Sequence, residues 1–170
     1  MKFRDISQMT QAKYSCSIFW EDLQHWIDRQ ADGIPTDLDP PYQRGYVWTE
    51  EQKTAYLEYI LKGGISGKDI FWNCPGWMNS FKGPMELVDG KQRVSAVLDF
   101  LNNKVKVFGQ YYNEFGDRPG MSEAYFTFHI NNLTDRKAVV QWYLDMNTGG
   151  SVHTEKDLQP AYDMMKELEK

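Results

Sequence analysis

The feature that most constrains the fold is a junction in residues 85–101, MELVDGKQRVSAVLDFL, where a strand pattern gives way directly to a helical pattern. Before the junction, Leu87 and Val88 form a short apolar run that is typical of a buried strand. After it, apolar side chains recur at helical spacing at Val94, Val97, Leu98 and Leu101. A strand that passes directly into a helix predicts a fold that combines α-helices with a β-sheet.

The rest of the chain shows short strand patterns separated by helical ones. Strands are predicted over residues 69–73, 85–89, 104–109 and 124–130. Helices are predicted over residues 17–30, with Ser17 as the N-cap, and over residues 92–102. Further helices are predicted after a capping box formed by Thr49 and Gln52, and after the caps Thr134 and Thr154. We therefore expect one α+β domain over residues 1–170, a small mixed sheet flanked by helices.

The composition limits the classes of function. Hydrophobic residues make up 41% of the chain, enough to fill a core, and no apolar run approaches the roughly 18 residues of a membrane span. The two cysteines, Cys16 and Cys74, lack CxxC partners, so we expect free thiols in a cytoplasmic protein without a membrane association. The net charge of −5 disfavours DNA binding that relies on phosphate contacts alone.

The strand–helix junction has the residue types of an anion site. The first N–H groups of a helix have no partner within the helix, and the helix dipole adds about half a positive charge there. Gly90 permits close backbone approach, while Arg93 and Lys91 supply a bidentate donor and a mobile point charge. Asp89 would hold a metal ion or orient a water. The alternative is a turn in which Asp89 caps the helix and Arg93 pairs on the surface.

A second polar segment is PPYQRGYVW, residues 40–48. Its prolines predict an extended backbone, and its aromatic side chains would pack against the protein and hold that backbone in place. Gln43 and Arg44 would then be polar groups on a stiffened loop, available to a ligand. The alternative is an exposed arginine in an ordinary linker.

A third segment, DMNTGGS at residues 145–151, ends a predicted helix with paired glycines. Simple helix termination explains the pattern, because glycine is common just after the last helical residue. The functional interpretation is a loop in which Asn147 and the amides of Gly149 and Gly150 approach a ligand closely.

The order of these motifs resembles the N-terminal domain of the GmrSD family of type IV restriction enzymes. The elements that carry the resemblance are QRGYVW at residues 43–48, ELVDG at 86–90 and WYLDMNTGG at 142–150. The similarity extends over about residues 17–160, nearly the whole chain. The usual family pattern at the junction is DGQQR, whereas this chain has DGKQR, with Lys91 in place of a glutamine.

The resemblance implies a ParB/sulfiredoxin-like fold with a phosphate-recognising pocket that binds and hydrolyses a nucleoside triphosphate. We expect Asp89, Gln92 and Arg93 to be catalytic, with Mg²⁺ as the cofactor and Asp89 as its ligand. The nucleotide and phosphate contacts are expected from Gln43, Arg44, Gly90, Lys91, Arg93, Asn147, Gly149 and Gly150.

The resemblance also implies a setting in restriction, anti-restriction or another DNA transaction. We expect a standalone domain without the family's C-terminal HNH-type nuclease domain, with DNA or a nuclease or defence-system protein as a possible partner. One alternative is a non-catalytic module that senses a nucleotide or binds DNA or a partner, such as a phage or mobile-element regulator. Another is a ParB-like DNA nuclease, which the acidic pI and the lack of a clear metal cluster disfavour.

Overall fold

The fold is built on a mixed five-stranded sheet with helices on both faces. The computed structural model describes residues 3–6, 9–28, 35–77, 84–148 and 155–169. The strands are β1 (Tyr14–Phe19), β2 (Thr36–Asp37), β3 (Asp69–Asn73), β4 (Met85–Asp89) and β5 (Tyr125–Asn131). The helices are α1 (Leu23–Ile27), α2 (Glu50–Leu61), α3 (Lys91–Leu101), α4 (Arg136–Thr148) and α5 (Glu155–Leu168). This architecture confirms the predicted α+β class.

The strands lie in the order β1-β5-β3-β4-β2. β1 pairs antiparallel with β5, and β3 pairs antiparallel with β4. The pairs β3–β5 and β2–β4 are parallel. The register between β3 and β4 shifts between Phe71 and Trp72, so Phe71 lies opposite Asp89, the last residue of β4. The end of β4 is therefore held by the sheet at the point where the chain turns into α3.

Two hydrophobic clusters lie on opposite faces of the sheet. The larger one packs β3, β4 and β5 against α2 and α3, with Trp72, Leu87, Phe128, Leu57 and Val97 fully buried. The smaller one packs α4 and α5 against the other face around Val88, Trp142 and Ala161. Because Leu87 and Val88 are neighbours in β4 and enter different clusters, both faces of this strand are buried. That explains why two apolar residues are adjacent in this strand instead of alternating with polar ones.

Several sequence predictions are confirmed. Thr49 accepts a hydrogen bond from the N–H of Gln52, and the Gln52 side chain accepts one from the N–H of Thr49, which is the predicted capping box of α2. Helix α2 ends where predicted, with Gly63 in a left-handed conformation. Strands β3 and β4 have the predicted bounds, and β5 and α3 begin within one residue of them.

The prediction of a continuous helix over residues 17–30 is wrong. The first part of this segment belongs to β1, which pairs along its whole length with β5, and Ser17 lies inside that strand rather than at a helix N-cap. A 3-10 turn at Trp20–Asp22 follows, and α1 is only five residues long. The helical spacing of the apolar residues was misleading because pairing with the buried strand β5 decided the conformation.

Two further local predictions are wrong. Val105 and Val107 are buried in alternation, as predicted, but the described residues 104–109 form only an isolated bridge from Val107 to Gln110. The backbone of Phe108 takes a positive φ of 50°, which ends the extended run. At α4, Asp135 rather than Thr134 accepts a hydrogen bond from the N–H of Lys137. The predicted cap at Thr154 lies outside the described residues.

Among the described helices, none has the length and apolar character needed to cross a bilayer.

Candidate functional site

A cavity of about 280 Å³ opens where β4 ends and α3 begins. Ten of the described residues line it: Gln43, Arg44, Trp48, Asp89, Gly90, Lys91, Gln92, Arg93, Tyr143 and Asn147. Three segments that are distant in the sequence thus meet at one place, and eight of these residues were candidates in the sequence. Gly149 and Gly150, the remaining two candidates, lie outside the described residues.

The N-terminal end of α3 lines this cavity. Gly90 is the N-cap residue and has a φ of 110°, a left-handed conformation that favours glycine. The first helical bond runs from the N–H of Val94 to the C=O of Gly90, so the N–H groups of residues 91–93 have no acceptor within the helix. Among the described residues, no side chain caps this end. The alternative interpretation, a turn in which Asp89 caps the helix, required such a cap, and Asp89 does not provide it.

Both arginines of the cavity are paired with a carboxylate. Arg93 Nη2 lies 2.7 Å from Asp89 Oδ2, one helical turn apart on the cavity wall. Arg44 Nη1 lies 3.5 Å from Asp157 Oδ2, in the first turn of α5. All four side chains are partly exposed, between 20% and 26%. Both guanidinium groups are therefore oriented and remain accessible to a ligand.

Two glutamine side chains fasten the extended segment 43–48 to β4 and α3. Gln43 Nε2 donates to the carbonyl oxygens of Leu87 and Val88. Gln92 Oε1 accepts from the N–H groups of Val47 (3.0 Å) and Trp48 (3.2 Å). Gln92 Nε2 also donates to the C=O of Gly45 at 2.9 Å. Both ends of the Gln92 amide are thus engaged with backbone, so the two motifs QRGYVW and DGKQR form one structural unit.

The ammonium of Lys91 is held on the same segment. It forms an ion pair with Asp39, donates to the C=O of Arg44 at 3.0 Å, and lies 4.4 Å from the centre of the Tyr46 ring. Lys91 is only 4% exposed. We expected a mobile charge that contacts phosphate, whereas the structure shows a buried and fully engaged ammonium. Lys91 lines the cavity, but its charge is committed to the loop behind it.

Helix α4 supplies Tyr143 and Asn147 to the lining of the cavity. Asn147 is buried, and its Nδ2 donates to the C=O of Tyr143 at 2.7 Å. The pKa of Tyr143 is raised to about 12, mainly because the phenol is buried and also because of the nearby Asp89, while Arg44 opposes the shift. The phenol is therefore neutral and can donate a hydrogen bond into the cavity at physiological pH.

Sequence reasoning missed Trp48 and Tyr143 as residues of the site. A signal was present for each. Trp48 closes the QRGYVW motif, where it was interpreted only as packing, and Tyr143 lies four residues before Asn147 and so on the same face of α4. A candidate residue in a helix indicates that the residue one turn away belongs to the same surface.

Any metal ion at this site would have few protein ligands. Within the described part of the chain, no group of three or more His, Cys, Asp or Glu side chains could hold one. Of the described residues that line the cavity, Asp89 is the one with a carboxylate. A single carboxylate is a donor set that suits Mg²⁺ bound mainly by phosphate oxygens and water.

The sequence matches a known family over most of its length. The profile described as "GmrSD restriction endonuclease, N-terminal domain" matches residues 23–167. The chain belongs to this family. Membership of the GmrSD family implies a restriction-system context for the protein. Searches of curated proteins and of solved structures gave no match.

Proposed function

We propose that this GmrSD-family domain binds a nucleoside triphosphate in the cavity and hydrolyses it in the course of restriction or anti-restriction. The observation that carries the proposal is the start of α3, where three residues whose N–H groups lack helical acceptors line a cavity that two arginines also line. Backbone amides, the positive end of a helix dipole and guanidinium groups together favour a phosphate anion.

The arginines would bind phosphate by exchanging partners. Asp89 and Asp157 already hold the guanidinium groups of Arg93 and Arg44 at the cavity, so little side-chain entropy remains to be lost on binding. A phosphate offers stronger bidentate acceptors than a single carboxylate oxygen. Arg93 would therefore contact the terminal phosphates above the helix amides, with Arg44 closing from the facing loop.

Asp89 is the candidate catalytic carboxylate. Once Arg93 turns to phosphate, Asp89 would be free to accept a proton or a hydrogen bond from the attacking water, or to act as a ligand to Mg²⁺ through water. Mg²⁺, when bound with the nucleotide, supplies charge neutralisation for the phosphate oxygens. The neutral phenol of Tyr143 would donate a hydrogen bond toward the same region.

The two glutamines have a supporting role in this proposal. We expected Gln92 to be catalytic, but a reaction step would require it to release its hydrogen bonds to Gly45, Val47 and Trp48. Gln43 is likewise committed to the β4 carbonyls. Both side chains therefore shape the loop that presents Arg44, and the chemistry is assigned to Asp89 and Arg93.

The test is phosphate release from ATP, GTP, CTP and UTP in the presence of Mg²⁺. Arg93→Gln and Asp89→Asn should each lower the rate by about 10²–10³, the usual effect of removing one charge-stabilising group. Arg118→Gln is the matched control, because this arginine is 82% exposed, pairs with Glu21 and does not line the cavity. Hydrolysis at the wild-type rate by Arg93→Gln and Asp89→Asn would refute the proposal. Nucleotide binding without phosphate release would favour the non-catalytic sensing alternative.

A further inference from the structure

The first turn of α3 contacts each residue of segment 44–48. Gln92 holds Gly45, Val47 and Trp48, and Lys91 holds the two others. Lys91 therefore acts on the backbone of Arg44, the residue whose side chain enters the cavity from this loop. The ammonium thus contacts the main chain of the residue whose guanidinium pairs with Asp157.

Burying an ammonium costs free energy unless acceptors lie close to it, so the Lys91 ammonium holds the groups around it in place. A charged amine that is 4% exposed must be compensated by nearby acceptors, and the structure supplies a carboxylate, a carbonyl and an aromatic face. The carboxylate belongs to Asp39, which is itself 60% exposed. Lys91 therefore connects the Asp39 carboxylate and the Arg44 carbonyl to the start of α3.

We infer that Lys91 is a positioning residue: it sets the place of Arg44 in the cavity and does not itself contact the phosphates. This inference rests on the proposed function, because Arg44 is assigned there as a phosphate-binding group. It predicts that the charge of Lys91 matters for the nucleotide only while Arg44 is present. A direct phosphate contact by Lys91 would matter in either case.

The first experiment is a double-mutant cycle with Mg²⁺ and the preferred triphosphate. Lys91→Met should raise KM about tenfold and change kcat less than threefold, since Asp89 and Arg93 are untouched. In an Arg44→Gln background, Lys91→Met should change KM by less than about twofold. A full tenfold loss in that background would overturn the inference, because it would show a direct contact. A loss confined to kcat would also overturn it.

Hydrogen exchange of the nucleotide-free protein tests the same point independently. In Lys91→Met, the amides of Val47 and Trp48 should exchange about tenfold faster, while the amides of β3 keep their protection. Lys53→Met is the matched control, because Lys53 also pairs with an acid of α3, Asp99 at 2.6 Å, but has no described hydrogen bond or ion pair with segment 44–48. It should leave the exchange of Val47 and Trp48 unchanged.

A second variant guards against a folding defect. Asp39→Asn removes the ion-pair partner and leaves Lys91 in place, so it should give a smaller change of the same kind at Val47 and Trp48. Unchanged exchange in both variants would overturn the inference, as would a uniform loss of protection across the sheet. If the wild-type protein binds no triphosphate, the proposed function fails, and the exchange result still decides whether Lys91 fixes the loop.

Discussion

Replacing Gly90 by alanine tests the junction on which the whole site depends. Gly90 has a φ of 110°, a conformation that side chains rarely adopt. An added Cβ would also lie 2.5 Å from Ile70 Cδ1 and 3.2 Å from Ile70 Cγ2. Ile70 is fully buried in the larger hydrophobic cluster, so it has little room to move away.

The expected loss combines two terms. The left-handed backbone costs a residue with a Cβ about 1–2 kcal/mol. Overpacking a filled core by one methyl group costs roughly 1–3 kcal/mol. We therefore expect Gly90→Ala to lower the free energy of unfolding by about 2–5 kcal/mol, and the melting temperature by roughly 2–4 °C for each of these kcal/mol.

Urea unfolding followed by circular dichroism measures the loss, and two other glycines separate its causes. Gly63 has a φ of 91° but none of the described atoms within 4 Å of an added Cβ, so Gly63→Ala should show the backbone term alone, about 1–2 kcal/mol. Gly45 has neither a positive φ nor a described neighbour within 4 Å, so Gly45→Ala should change the stability by less than about 1 kcal/mol.

The prediction is tested by ranking the three variants by their loss in the free energy of unfolding. The structure requires the loss to be largest for Gly90→Ala, intermediate for Gly63→Ala and smallest for Gly45→Ala. If Gly90→Ala were no more destabilising than Gly63→Ala, the close packing of the junction against Ile70 would be refuted, and with it the fixed position of the α3 amides.

Two further predictions concern stability. Thr49→Ala removes the capping box of α2 and should lower the free energy of unfolding by about 1 kcal/mol in urea titrations, whereas an unchanged midpoint would contradict the cap. Burial and Asp89 raise the pKa of Tyr143 to about 12, whereas an unfolded tyrosine ionises near pH 10. The neutral phenol therefore contributes fully to the free energy of unfolding below about pH 10, and this contribution is lost as the pH rises toward 12. Tyr143→Phe should therefore remove roughly 2 kcal/mol of the destabilisation measured by urea unfolding between pH 9 and pH 12, and an unaltered pH dependence would contradict the burial of the phenol.

Local signals in the sequence were sufficient where a segment's conformation depends on its own residues. The capping box at Thr49 and Gln52 and the glycine after α2 act within a few residues, so they predict the bounds of that helix. The adjacent apolar residues Leu87 and Val88 likewise predict a strand, because such a run is typical of a strand that is buried on both faces.

Local signals failed where a distant partner decided the conformation. Ser17 is in an extended strand because β5, more than a hundred residues later, offers a ladder of hydrogen bonds. Val105 and Val107 alternate in burial as a strand would, but their described surroundings supply only one bridge. The spacing of apolar residues within a segment does not show whether a distant strand is present to pair with it.

The candidate site shows the same division. The order of the motifs predicted that Arg44, Asp89 and Arg93 belong to one pocket, and all three line the same cavity. That this cavity binds an anion stays a prediction. The tasks of Lys91 and Gln92 could not be deduced, because a charged or amide side chain is equally suited to a ligand and to a backbone group. Only the position of segment 43–48 against α3 shows that both are engaged with backbone.

Calorimetric titration of the wild-type domain with each Mg²⁺–triphosphate tests the central claim most directly. We expect saturable binding of at least one triphosphate, weakened at least tenfold in Arg93→Gln and unchanged in Arg118→Gln. Absence of binding by all four nucleotides, or equal affinity in the wild type and Arg93→Gln, would contradict the assignment of a phosphate site to the start of α3.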